Sequence, residues 1–180
     1  MKVLSVNLGE RKTIIWRKKE EQTGIFKYPV DIPIFLGEND VENDAVVDRK
    51  YHGGIDQAVY GYSEKHYAYF KELHPNLEWD YGMFGENITF SDLNEEEITV
   101  GSIYQLGETK IEVTKPREPC YKLGIRFNST KIIRQFWKTS MSGIYFKVLQ
   151  TGFVKVGDEL ILLEKPNSTL TIAEIYESKK

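Results

Sequence analysis

Many short apolar runs, glycine-marked turns between them and only two helical stripes predict a mainly β protein. The expected form is a closed or partly closed barrel with a few peripheral α-helices. A chain of 180 residues suits one domain, and 41% apolar residues supply a core. The aromatic share is 13%, with 11 Tyr and 9 Phe, which favours β-rich packing. No succession of βαβ units occurs, so a doubly wound fold is not expected.

In chain order, KVLSVNLG reads as a first strand ending at Gly9, and RKKEEQ (17–22) as a solvated turn. In PVDIPIFLG (29–37), Val30, Ile32, Ile34 and Leu36 fall at period two. Pro33 puts that strand at a sheet edge or bulge. The passage ENDVENDAVVDRK is acidic and turn-rich. SEKHYAYFKELHP reads as a helix capped by Ser63, with Tyr67, Phe70 and Leu73 on one face and Pro75 as its stop. STKIIRQFWKTS reads as a second, with Ser129 as cap and Ile132, Ile133, Phe136 and Trp137 as its apolar stripe. ITVGSIYQLGETKIEVTKP holds two strands about Gly107–Glu108, where Ile111 and Val113 alternate with Lys110, Glu112 and Thr114. GIYFKVLQTGFVKVGDELILLEKP holds two more, turning at Thr151–Gly152 and Gly157–Asp158.

Several function classes drop out. A net charge of −3 offers no overall field for nucleic acid or an anionic membrane, so any anion site is local. Cys120 is the only cysteine, which excludes an intrachain disulfide, a cysteine-rich zinc knuckle and a self-held iron–sulfur cluster. His52, His66 and His74 form no close-spaced ligand pair. The N-terminus lacks the apolar region of a signal peptide, and no run of about 18 apolar residues spans a bilayer. A cytoplasmic protein is expected. Neither phosphate-loop and dinucleotide fingerprints nor a G-x-S-x-G elbow occurs.

Three stretches carry candidate chemistry. In KPREPCYKL (115–123), Pro116 and Pro119 place Cys120 on a stiff loop after the strand at 109–114. Arg117 and Lys122 favour its thiolate below the ordinary value of about 8.5, and Glu118 opposes them. A pre-positioned thiolate suits nucleophilic attack or ligation of a soft metal, whereas a lone cysteine is also a common core residue. In DRKYHGGIDQAVYGY (48–62), Gly53 and Gly54 after His52 permit close backbone approach to an anion, with Arg49 and Lys50 just upstream. Taken alone the HGG is better read as an ordinary tight turn before an aromatic strand. In YGMFGENITF (81–90), Asn87 can donate and accept at once, although GEN is also a common strand entry.

The ordered set HGGIDQAVYGY, GMFGENIT, VTKPREPCYKL and SGIYFKVLQTGFVKVGD resembles the MOSC domain, named for its similarity to the C-terminal part of molybdenum cofactor sulfurases. The nearest branch is that of bacterial proteins implicated in resistance to N-hydroxylated purines. The resemblance implies a MOSC-type β-barrel over residues 1–165 and a short C-terminal tail over 166–180, without the branch's three-helix extension. It implies a molybdenum–pyranopterin cofactor with Cys120 as catalytic residue and molybdenum ligand. His52, Gly53, Gly54, Arg117 and Lys122 would hold the cofactor phosphate, and Asn87 its pterin side. The activity implied is reduction of small N-hydroxylated compounds with electrons from an external flavoprotein reductase. A non-enzymatic cofactor or sulfur carrier, and a barrel whose thiol is a redox sensor or core residue, use the same residues. One departure is that Val46 or Val47 stands where close relatives carry a Gln before the Asp that precedes the HGG.

Overall fold

The alternation of TKIEVT gives strand β9 (Thr109–Pro116) a buried row of Thr109, Ile111 and Val113, with the intervening residues more exposed. The computed structural model describes residues 1–45, 47, 53–167 and 169–180. Strand β8 (Ile103–Leu106) pairs with β9 through the turn at Gly107–Glu108, in register Leu106↔Thr109. On its other side β9 pairs with β10 (Ile144–Gln150), which pairs in turn with β6 (Val59–Ser63). Strand β6 lies parallel to β7 (Ile88–Phe90), and β7 is antiparallel to β1 (Val3–Gly9). With β4 (Lys27–Pro29) and β12 (Leu160–Glu164) at the edges, the eight-stranded order is β12-β8-β9-β10-β6-β7-β1-β4. The protein is mainly β with a few helices.

A closed barrel is not formed as a continuous ladder among the described residues. Instead, a single bridge, Lys2↔Glu159, brings the start of β1 beside the start of β12. Three backbone bonds hold that junction: Val3 N to Asp158 O at 2.8 Å, Gly157 N to Val3 O at 2.9 Å and Leu160 N to Met1 O at 2.7 Å.

Smaller pieces complete the fold. Strands β2 (Lys12–Trp16) and β3 (Lys19–Thr23) form their own hairpin, so RKKEEQ is a turn only at Arg17 and Lys18, which take left-handed φ angles of 50° and 65°. The expected period-two strand over 29–37 is broken. Pro29 ends β4, and after Pro33 only β5 (Ile34–Leu36) is a strand, paired with β11 (Gly152–Val154) in a separate sheet. The segment after Gly143 therefore holds three strands rather than two.

One core fills the sheet interior with aliphatic residues, including Val6, Ile34, Leu36, Ile88, Ile111 and Val148. A second, aromatic core lies under α1 (Lys65–Leu73), α2 (Tyr121–Arg126), α3 (Lys131–Trp137) and α4 (Ile172–Glu177). There Phe84 stacks on Tyr62 at 4.2 Å between centroids and meets Phe70 edge-on at 5.1 Å. Tyr67 and Phe70 are buried as the stripe predicts, but Leu73 is exposed. Ser63 does not cap α1: as the last residue of β6 it is buried and accepts a bond from Leu93 N. At α3 the N-cap is Thr130, with Ser129 one residue outside it. Beyond residue 165 the chain packs inward, burying Ile172, Ala173 and Tyr176 of α4 behind a Thr171–Glu174 capping box.

The turn between α1 and β7 is organised by Glu86, which is fully buried. Its carboxylate accepts from Tyr67 Oη, from Gly82 N at 2.9 Å, from Phe84 N at 3.0 Å and from Thr89 Oγ1 at 3.0 Å. Four donors converging on two oxygens need an acceptor-only group. Glu86→Gln, which turns an amide nitrogen toward those donors, is expected to lower the unfolding free energy by about 1–3 kcal/mol in a urea titration; unchanged stability would show that the turn does not depend on the carboxylate.

Candidate functional site

The last residues of β9 aim the loop that follows. Pro116 still pairs with Ile144 of β10, and Arg117 then turns inward and is 5% exposed. Its Nη1 donates to the carbonyl of Phe84, and its guanidinium lies 4.8 Å from the centre of the Tyr60 ring. Gly85, at φ 79°, takes the left-handed turn before Glu86, where a Cβ would sit a tight 3.2 Å from Ile25. Cys120 follows in an extended conformation at the N-cap of α2, half-buried and unpaired. Tyr121 then stacks on Trp16 of the β2–β3 hairpin at 5.0 Å, and Lys122 turns back into the protein as a buried residue.

Arg117, Cys120 and Lys122 all line one cavity of about 80 Å³. It brings together Cys120, Arg117, Lys122 and Asn87, four of the residues singled out in the sequence, and adds Lys27, Asp44, Tyr60 and Tyr145. Gly53 and Gly54 are half-buried and do not line it. Gly54 takes φ 96° and caps a short 3-10 turn over Ile55–Gln57, and Gln57 and Ala58 reach the cavity wall in their place. His52, with Arg49 and Lys50, lies outside the described residues.

Electrostatics distinguish this cavity. Three cations, Lys27, Arg117 and Lys122, face one carboxylate, Asp44, among the described lining residues. Lys27 and Asp44 form an ion pair with side chains only 8% and 1% exposed. Burial pulls the Lys27 pKa below its ordinary value; Asp44 opposes this and the Arg117 charge adds to it. Arg117 shows the reverse balance. Burial lowers its pKa, but Tyr60, Tyr145 and Cys120 together raise it above the ordinary value, so it stays charged. Burial also holds the phenols of Tyr60 and Tyr145 above the usual tyrosine range.

Asn87 is committed to the protein. Its Nδ2 donates to Asp44 Oδ2 at 2.9 Å, and its Oδ1 accepts from Tyr60 N at 3.2 Å. Gly9 N holds the other Asp44 oxygen at 2.8 Å. Asn87 therefore fixes Asp44, and one amide hydrogen remains for any ligand.

Lys27 and Asp44 escaped the sequence reading. Lys27 carries a signal, a charge at an inward position two residues after the buried Ile25. Asp44 carries none within an acidic, turn-rich passage. Arg117 Nε is buried and finds no hydrogen-bond partner among the described residues. An unpaired guanidinium N–H, an excess of buried positive charge and an open thiol form a donor set for an anionic group bearing a soft metal. Among the described residues no cluster of three His, Cys, Asp or Glu offers a ready-made metal site, so the thiol would be a lone protein ligand.

Known proteins share the sequence and fold of this chain. YflK of Bacillus subtilis (strain 168) is 34% identical over 170 residues, spanning 94% of this chain and 76% of that protein. A protein of Gibberella moniliformis named a reductase is 33% identical over 150 residues, 82% of this chain but 27% of the longer protein. The crystal structure of YiiM from Geobacillus stearothermophilus superposes with a TM-score of 0.82 at 31% identity, covering 99% of this chain and 83% of that one. The sequence profile of the MOSC domain matches residues 48–161, and this chain belongs to the MOSC domain family.

Proposed function

We propose that the protein reduces N-hydroxylated compounds, purine bases among them, with a molybdenum–pyranopterin cofactor held in this cavity. The observation that carries the reading is the sole thiol of the chain opening beside a buried guanidinium whose Nε lacks a partner. When bound, the cofactor supplies the two-electron chemistry that cleaves an N–O bond. Overall, R–NH–OH takes two electrons and two protons and yields R–NH2 and water. Electrons come from an external flavoprotein reductase, since the chain carries one cysteine and no flavin-binding signature. No helix among the described residues is long and apolar enough to cross a membrane, and we place the activity in the cytoplasm.

Each residue has a physical task. Cys120 presents its sulfur to molybdenum from a loop stiffened by Pro116 and Pro119, which limits the sulfur's freedom before ligation. Arg117 offers its Nε–H to the anionic part of the cofactor, and its own position is fixed by Phe84 O and Tyr60. Lys122 adds charge on the same side. Tyr60 and Tyr145, adjacent across β6 and β10 with centroids 5.1 Å apart, keep their phenols neutral and form the aromatic wall.

Two experiments test this. Protein purified from a host that makes the cofactor should contain molybdenum and release the fluorescent oxidised pterin. It should reduce N-hydroxylated bases once a flavin reductase is added. Cys120→Ser should abolish that reduction, and a variant that still turns over would exclude the ligand role. Retained molybdenum without any reduction in the wild type would favour a carrier. In Arg117→Lys, loss of the fork geometry is expected to weaken cofactor retention about tenfold or more on dialysis, from the 1.5–3 kcal/mol typical of a charged hydrogen bond. Wild-type retention would remove Arg117 from the site.

A further inference from the structure

We infer that Lys27 is the proton donor to the departing oxygen in this reaction, an assignment that rests on the proposed reductase reading. Cleaving N–O to release water consumes two protons, and the cavity needs an acid beside the reacting bond. Lys27 lines the same cavity as Cys120, is nearly excluded from solvent, and is held by Asp44. Asp44 is itself locked by Gly9 N and Asn87 Nδ2, so the ammonium is oriented before any substrate enters.

The surroundings fit an acid better than a fixed anchor. Facing Lys27 are Asp44 from the segment after β5, Arg117 from the loop after β9 and Glu86 from the turn before β7. Burial and the Arg117 charge both make the ammonium a stronger acid than a solvated lysine, while Asp44 and Glu86 act in the opposite sense. Giving up its proton leaves a neutral amine still paired with Asp44, which relieves the repulsion from Arg117. The N–O bond breaks, the electron pair comes from the reduced flavoprotein by way of the cofactor, and Lys27 protonates the oxygen. A second proton from solvent through the cavity mouth completes water and the amine, and Lys27 is recharged by the same route.

Lys27→Arg separates this role from simple charge, because arginine keeps the cation and does not release a proton. In the wild type, kcat/KM should fall on the alkaline side with a break below the ordinary lysine value. Lys27→Arg should keep wild-type molybdenum and pterin content, lose that alkaline limb and drop kcat/KM about a hundredfold or more. Independently of turnover, the lysine 13Cε spectrum should hold one resonance that titrates below the others and is missing from Lys27→Arg. The inference falls alone if the wild type reduces substrate and Lys27→Arg keeps its rate or its alkaline limb. It also falls if no resonance titrates early, or if Lys27→Arg loses the cofactor, which would make Lys27 a positioning residue. A wild type without molybdenum or N-hydroxy reduction overturns the underlying reading and this assignment with it.

Discussion

A guanidinium buried at the end of β9 is the constraint on which the rest depends. Removing a charge from water is costly unless partners replace its hydration. Arg117 receives the carbonyl of Phe84, the face of Tyr60 and the nearby polar atoms of Tyr145 and Cys120. Those partners come from its own loop and from three other pieces of the chain. The Phe84 carbonyl is offered only because Glu86 winds the GMFGEN turn around itself, and the Phe84 ring is anchored in the aromatic core. Core packing under α1 and α3 is thereby coupled to the position of the cation. Its Nε finds no hydrogen-bond partner among the described residues, and the side chain lines a cavity that also takes in Cys120.

A local positive field inside a protein of net charge −3 has a further consequence. Among the described lining residues buried Lys27, Arg117 and Lys122 outnumber Asp44, and the low dielectric of their surroundings strengthens each interaction with an entering anion. Exposed acidic residues elsewhere are screened over roughly 8–10 Å at physiological ionic strength and oppose it little. Attraction is confined to the cavity, which suits capture of one small anionic group and gives no reason for binding polyanions.

Much of this was legible locally. Hairpin β8–β9 follows from a glycine turn and an alternating strand. The proline-bracketed loop around Cys120 follows from missing N–H groups, and Arg117, Lys122 and Asn87 reach the cavity where the sequence pointed. The remainder depends on contacts that no local pattern encodes. Asp44 meets Lys27 because β4 and the passage after β5 both return to β1, where Gly9 N holds the carboxylate. The family resemblance assigns Asn87 to the pterin side of a cofactor, and tertiary packing in addition ties that amide to Asp44 and Tyr60. RKKEEQ (17–22) reads as a solvated turn from its charge, and hairpin pairing with Lys12–Trp16 makes Lys19–Thr23 a strand nonetheless. Gly54 serves the backbone of a 3-10 turn and leaves the cavity wall to Gln57 and Ala58.

The central claim, that the Cys120 sulfur is bound to molybdenum inside this cation-lined cavity, is tested most directly by X-ray absorption at the molybdenum edge. Wild-type protein from a cofactor-producing host should show one more sulfur in the metal's shell than Cys120→Ser prepared in the same way. Identical spectra from the two proteins, each containing the metal, would contradict it.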